Sequence, residues 1–296
     1  MLVIYFEGNL LIGSGFYLLN NIFKTGIMKT YIVDSFTNEQ FKGNPAGVCF
    51  PEFEISESKM LHIANELGLS ETAFLKQDGE TDTYSIRYFS PKMEIPLCGH
   101  ATLASAKVLF KDTGAEKIHF TTIENLNLTV TKHGEEITME FPVYNTEAAV
   151  APPAMLKALG LSSVTNTVFS PHNKVIMLEI SSPRMLANLR PDFNALIPSH
   201  DGINGVLVTA PSTNNGYDYH YRFFWPWAGT NEDPVTGGVQ TFLAKYWSDK
   251  LNKKKLKAFQ SSSRTGYMNV TLCGDKVLLT SSAVIILEGK LMVELN

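Results

Sequence analysis

The stretch NEDPVTGG at 231–238 follows RFFWPWAGT at 222–230 and runs into an amphipathic segment. An earlier stretch, RYFSPKMEIPLCGH at 87–100, has its parts in the same order. Arg87, Phe89 and Pro91 match Arg222, Phe224 and Pro226 at an offset of 135 residues. Glu94, Pro96 and Gly99 match Glu232, Pro234 and Gly237 at an offset of 138, and Lys107 and Lys245 keep that second offset. Three residues inserted after the proline reconcile the two. We read this echo as an internal duplication: two similar α/β halves related by a pseudo-twofold axis. Two units fall short of the three or more that a solenoid needs.

Each copy runs strand, proline-containing loop, glycine, helix. The first turn of a helix has unsatisfied N–H groups and a partial positive charge. Glycine there lets a ligand approach the backbone. Two such tips brought face to face would clamp a small anion between the halves, although glycine is also an ordinary residue of strand–helix turns. Acid–base side chains cluster at these joints: His100 directly after Gly99, and Asp233 directly before Pro234. Glu71, in GLSETAFL at 68–75, reads either as an exposed or capping residue or as a third member of the set. Spacing alone does not say whether the three meet.

At 296 residues the chain is long enough for one large or two moderate units with a sizeable core. Its composition, 44% hydrophobic and 18% charged with net charge −4, is that of a soluble globular protein. No long basic run argues for nucleic acid; Lys253–Lys255 is a short triplet suited to a solvated turn or helix end. The aromatic run YHYRFFWPW has no basic neighbourhood and reads as core and cleft wall rather than a base-stacking surface. Three cysteines without a C-x-x-C pair fit reduced thiols in a cytoplasmic setting. No Cys/His cluster or H-x-x-x-H spacing points to a metal. The first 27 residues are apolar but broken by Glu7, Gly8, Asn9, Gly13 and Gly15, so we set 1–27 apart as an extension rather than a membrane span or signal peptide.

From Met28 the pattern mixes strands and helices. SESKMLHIANELG at 56–68 has a Ser cap, helical spacing and a closing Gly. GHATLASAKVLFKDTG predicts a helix over 99–114, and two more are expected over 153–159 and 236–250. Strands are expected at TYIVDSF, AGVCF, ETAFL and YSIRYFS, then at KIHFTT, LNLTVTK and EITMEFP. In the second part they are expected near 174–180 and 204–210, at 217–225, and at four places from 257 on. EAAVAPPAM at 147–155 breaks the pattern, giving a first half over 28–147 and a second over 148–296, with a site in the cleft between.

FKGNPAGV at 41–48, ANELGLSETAFL at 64–75, IPLCGHATLASAKVL at 95–109 and EDPVTGG at 232–238 occur in order. On these motifs the chain resembles the phenazine-biosynthesis PhzF-like family, and in detail its animal members, over nearly all of 29–296. The resemblance implies the diaminopimelate-epimerase-like fold: two α/β halves, each a curled sheet around a central helix. It implies a cofactor-independent, homodimeric isomerase that moves a proton on a small cyclic or unsaturated amino or hydroxy acid. Glu71, His100 and Asp233 take the catalytic positions. Asn44, Ser70, Gly99, Gly237 and Gly238 take the substrate-binding ones. The chemistry is coherent, because a carboxylate in an apolar cleft can gain a raised pKa, take a proton from carbon and return it elsewhere. Helix tips can hold the developing negative charge.

One departure stands out. The family usually has Ser where this chain has Gly238, which leaves a second reading open: a protein whose cleft is vestigial and which binds a partner. Related epimerases use two facing thiols. Here Cys98 occupies one position and Thr236 the other, so Cys98 reads as a small packing residue. Arg264 reads as a surface residue, with anion contact from the second half as the alternative.

Overall fold

A computed structural model describes residues 25–79, 82–213 and 216–294. The first half runs β1 (Thr25–Ser35), β2 (Asn44–Phe50), α1 (Glu57–Leu67), β3 (Glu71–Gln77), β4 (Thr83–Phe89), β5 (Glu94–Ile95), α2 (Gly99–Thr113), β6 (Lys117–Thr122), β7 (Asn127–His133), β8 (Glu136–Pro142) and β9 (Glu147–Ala148). The second runs α3 (Pro153–Leu159), β10 (Asn166–Ser170), β11 (Val175–Glu179), α4 (Pro183–Ala187), α5 (Phe193–Leu196), β12 (Gly205–Pro211), β13 (Tyr219–Trp225), β14 (Thr230–Asp233), α6 (Gln240–Leu251), β15 (Lys255–Gln260), β16 (Gly266–Cys273), β17 (Lys276–Ser281) and β18 (Ala283–Glu294).

The wiring occurs twice. β1 pairs antiparallel with β2, β2 parallel with β3, β3 antiparallel with β4, and β4 parallel with β6 across the α2 crossover. β10 through β15 repeat each step in the same sense, with α6 as the crossover. The halves join through the antiparallel pair β8–β17, where Thr138 and Thr280 face each other with hydroxyls 2.8 Å apart. Each half also lends its last strand to the other. β18 pairs with β1, and β9 with β10. The spatial halves are therefore not the chain-order halves, since residues 283–294 lie on the first-half sheet.

Local chemistry sets the helix ends. Ser56 accepts from Lys59 N at 3.3 Å, and Gly68 closes α1 in the left-handed region at φ 62°. α2 is buried almost all round, with His100, Leu103, Ala104, Val108 and Leu109 among its covered residues, so it forms the centre that the first sheet wraps. α6 fills the same place in the second half, with Trp247 fully covered. The helix expected over 236–250 begins later, at Gln240. Before it, Gln240 N bonds Gly237 O at 3.0 Å and Thr241 N bonds Gly238 O at 3.3 Å. These i→i−3 bonds make a tight turn through Gly237–Val239 instead of a first α-turn.

β1 begins at Thr25, opposite Glu294, so residues 25–27 of the segment set apart as 1–27 belong to the folded unit. Residues 1–24 lie outside the described residues. No helix among the described residues is long and apolar enough to cross a membrane.

Candidate active site

Glu71 opens β3, His100 is the second residue of α2, and Asp233 closes β14. All three are buried, at 5%, 6% and 7% exposure, and all line one cavity of about 290 Å³. Gly99, Gly237 and Gly238 line it too. Glu71 Oε2 lies 3.1 Å from His100 Nε2. Cys98 Sγ lies over the same ring, 3.3 Å from Nδ1 and 3.9 Å from Nε2. Apolar walls come from Ile95, Leu97, Val175, Phe223 and Trp225, and among the described residues no Lys or Arg lines the cavity.

Asp233 is held from several sides. Asn44 Nδ2 donates to its Oδ1 at 2.8 Å and to Val235 O at 2.9 Å. Those two bonds use both amide hydrogens, so the 3.3 Å approach of Asn44 Nδ2 to His100 Nδ1 is a contact rather than a third bond. Thr236 Oγ1 donates to Asp233 Oδ2. Gln260 spans the turn, donating to Asp233 O at 2.6 Å and accepting from Thr236 N at 2.8 Å. Ser35 Oγ donates to His100 O at 2.7 Å and fixes the first turn of α2.

Asn44 thus sits behind the site, fully buried, and not on the cavity wall. Ser70 is half-buried and does not line the cavity either. Arg264 is turned away, donating to Asp34 Oδ1 at 2.8 Å and to Gly43 O at 2.9 Å. Cys98 packs in the first core cluster, as its reading has it, and also lines the cavity against the His100 ring. Thr236 occupies the matching place in the other half, with its hydroxyl committed to Asp233. A pair of facing thiols is therefore not available. Gln260 and Ser35 were not singled out in the sequence. The sequence signal was no more than a polar residue closing the strand pattern KAFQ; that Gln260 is fully buried is visible only in the fold.

The electrostatics follow from burial. Burial raises Asp233 to about 6; the His100 charge and the Thr236 and Asn44 donors hold it from rising further. Burial opposes a charge on His100, while Cys98 and Glu71 favour one, and the balance lies well above the ordinary imidazole value. Burial likewise raises the Cys98 thiol, with the His100 charge pulling against it. The direction favours the charged form of His100 near neutral pH.

Glu71, Cys98 and His100 offer ligand-type atoms within 4.8 Å of one another. Cys98 Sγ is 3.9 Å from Nε2 as well as 3.3 Å from Nδ1, so its sulfur and the Glu71 carboxylate both lie within reach of Nε2. A larger groove of about 800 Å³ opens beside α4 and α5. Its Arg222 is tied to Glu232, and its His220 is pushed down by burial, so it gathers no comparable acid–base set.

The echo in the sequence has a physical counterpart. Arg87 grips Glu94 through Nε at 2.7 Å and Nη2 at 2.6 Å. Arg222 grips Glu232 through the same two atoms, both at 2.7 Å. Each fork ties the strand to the loop that carries the chain into its helix tip.

Comparison with known proteins agrees with this architecture. Residues 33–289 match the family described as Phenazine biosynthesis-like protein. The chain belongs to that family. It is 40% identical over 269 residues to an uncharacterized isomerase of Halalkalibacterium halodurans, covering 88% of this chain and 97% of that one. It is 37% identical over 283 residues to the mouse Phenazine biosynthesis-like domain-containing protein 2, covering 88% and 98%. A crystal structure of a PhzF-family phenazine biosynthesis protein from Enterococcus faecalis superposes with TM-score 0.84 at 36% identity, covering 90% of this chain and all of that one. A predicted epimerase of Pseudomonas aeruginosa, at TM-score 0.68 and 18% identity over 89% of this chain and 98% of that one, shares the fold.

Proposed function

We propose that this protein is an isomerase that shifts a proton on a small cyclic or unsaturated amino or hydroxy acid, without a cofactor. The observation that carries the reading is the Glu71 carboxylate on the cavity wall, 3.1 Å from His100, with Asp233 lining the same cavity. A relative 40% identical bears the name isomerase.

Glu71 takes a proton from a carbon next to the substrate's unsaturated or carboxylate-bearing centre. The electron pair left behind spreads into that conjugated system. Charge building there meets the imidazolium of His100 and the N–H groups of Gly237, Gly238 and Val239, which find no backbone acceptor among the described residues. Glu71 then returns the proton to a different carbon. Asp233, near its midpoint at about 6, holds or exchanges a proton with the substrate's polar group. Acid–base transfer supplies about 10²–10⁴-fold and positioning the remainder. Small size and apolar walls favour a ring, and two carboxylates with no cation beyond His100 favour a single negative charge on the substrate.

A thermal-shift screen with a panel of cyclic and unsaturated amino and hydroxy acids tests this. At least one acid is expected to stabilise the wild type and to fail with His100→Ala. Equal stabilisation of both proteins would place binding elsewhere.

A further inference from the structure

The Asn44 amide reaches Asp233 because of the turn that delivers it. Residues 36–43 join β1 to β2, and Asn44 opens β2 opposite Ser35. In the second half the shorter stretch 171–174 joins β10 to β11, and the register puts Val175 in the matching place opposite Ser170. The first-half turn therefore carries a polar residue where its counterpart carries an apolar one. It is also strained. Phe41 takes φ 65° with its side chain exposed, and Gly43 takes φ 67°, where a Cβ would stand 2.1 Å from Ser35 O.

What holds this turn comes from the second half. Arg264, in the loop between β15 and β16, donates from Nε to Gly43 O at 2.9 Å. Its Nη2 donates to Lys42 O at 3.0 Å and to Asp34 Oδ1 at 2.8 Å. The buried Asp34 uses its other oxygen to accept from Phe41 N at 2.8 Å, and Thr265 O takes the Gly43 N–H at 2.8 Å. The same loop reaches the far end of the Asn44–Asp233 bond, where Ser262 Oγ donates to Pro234 O.

We propose that Arg264 is a positioning residue of the proton-transfer site: it locks the 41–43 turn across the two halves, so that Asn44 is held against Asp233. The inference rests on reading the cavity as the acid-binding site. Arg264 does not line that cavity and acts through Asn44. The His100 charge and the Thr236 and Asn44 donors favour the ionised Asp233 carboxyl, while burial and Glu71 oppose it. Freed from Arg264, the turn relaxes, the amide withdraws, and Asp233 holds its proton more tightly.

The test is a ¹³C NMR titration of the Asp carboxyls, with Asp233 assigned by its absence from Asp233→Asn. Wild type is compared with Arg264→Ala, Arg264→Lys, Asn44→Ala and the double variant Arg264→Ala/Asn44→Ala. Arg264→Ala should raise the Asp233 midpoint by about half a pH unit or more. Arg264→Lys keeps the charge but not the planar fork, and should raise it too. Adding Arg264→Ala to Asn44→Ala should move it no further, because the two residues act in series. An unmoved midpoint in Arg264→Ala, even with lowered melting, marks a merely structural residue and overturns the proposal. So does a wild-type midpoint in Arg264→Lys, or a double variant that shifts by the sum of the singles. Should Arg264→Ala not fold, the Arg264→Lys titration decides alone. No substrate enters the titration, so its failure leaves the acid-binding reading standing, and a thermal-shift screen without a binding acid removes that reading alone.

Discussion

Asn44 Nδ2 lies 2.8 Å from Asp233 Oδ1, joining the first strand–turn of one half to the loop before the helix of the other. This bond ties the start of β2 to the end of β14 directly behind the cavity. Asn44→Ala is expected to cost about 2–3 kcal/mol, because a buried carboxylate loses a donor and Val235 O loses its partner as well. Urea titration measures the loss. A change within experimental error would show that Asp233 is held without Asn44.

The repeated Arg–Glu fork invites a matched pair of substitutions. The Arg222 side chain is 6% exposed and also donates from Nη1 to Leu186 O and Leu189 O, whereas the Arg87 side chain is 26% exposed. Arg222→Ala is expected to cost about 3–5 kcal/mol, since it strands Glu232 and two carbonyls. Arg87→Ala should cost about 1–2 kcal/mol. Equal losses would mean that burial does not distinguish the two copies.

The folded value of Asp233, about 6, lies above its ordinary 3.8. The folded protein therefore keeps a proton that the unfolded chain releases, and the stability due to this group falls as pH rises from about 4 to about 6. Asp233→Asn removes that ionisation. It should gain up to about 3 kcal/mol over wild type at about pH 7 and show no such gain at about pH 4. Denaturant titrations at the two pH values check the sign, and a gain only at the acid end would contradict it.

Much of this was legible in the sequence, for physical reasons. The duplication showed because Arg, Glu, Pro and Gly hold unusual geometries, and their order survives when the surrounding apolar residues drift. Helix ends showed because Ser56, Gly68 and Gly114 cap them by local bonds. The exchange of β9 and β18 between halves did not show, since pairing partners far apart in the chain leave no local trace. β10 and β14 were missed: NTVFS is short and its edge is polar, and TNED reads as a turn until Phe223 pairs with Asp233. The late start of α6 was hidden because Gly-Gly suits a tight turn as well as a helix tip. Glu71, His100 and Asp233 stood out at the strand–helix joints and their catalytic roles came from family motifs; that they share one cavity came from the coordinates. The place of Cys98 beside the imidazole depends on its lying at the N-cap of α2, where its side chain makes no capping bond.

The central claim is that Glu71 carries the proton. The direct measurement is NMR in D₂O of an acid that binds the cavity, with wild type and with Glu71→Gln, following deuterium into its ring C–H positions. Wild type should exchange the acidic position. Glu71→Gln, which keeps the shape of the side chain beside His100, should slow exchange by about 10²-fold or more while its melting stays that of a folded protein. Exchange by a folded Glu71→Gln at the wild-type rate would contradict the account.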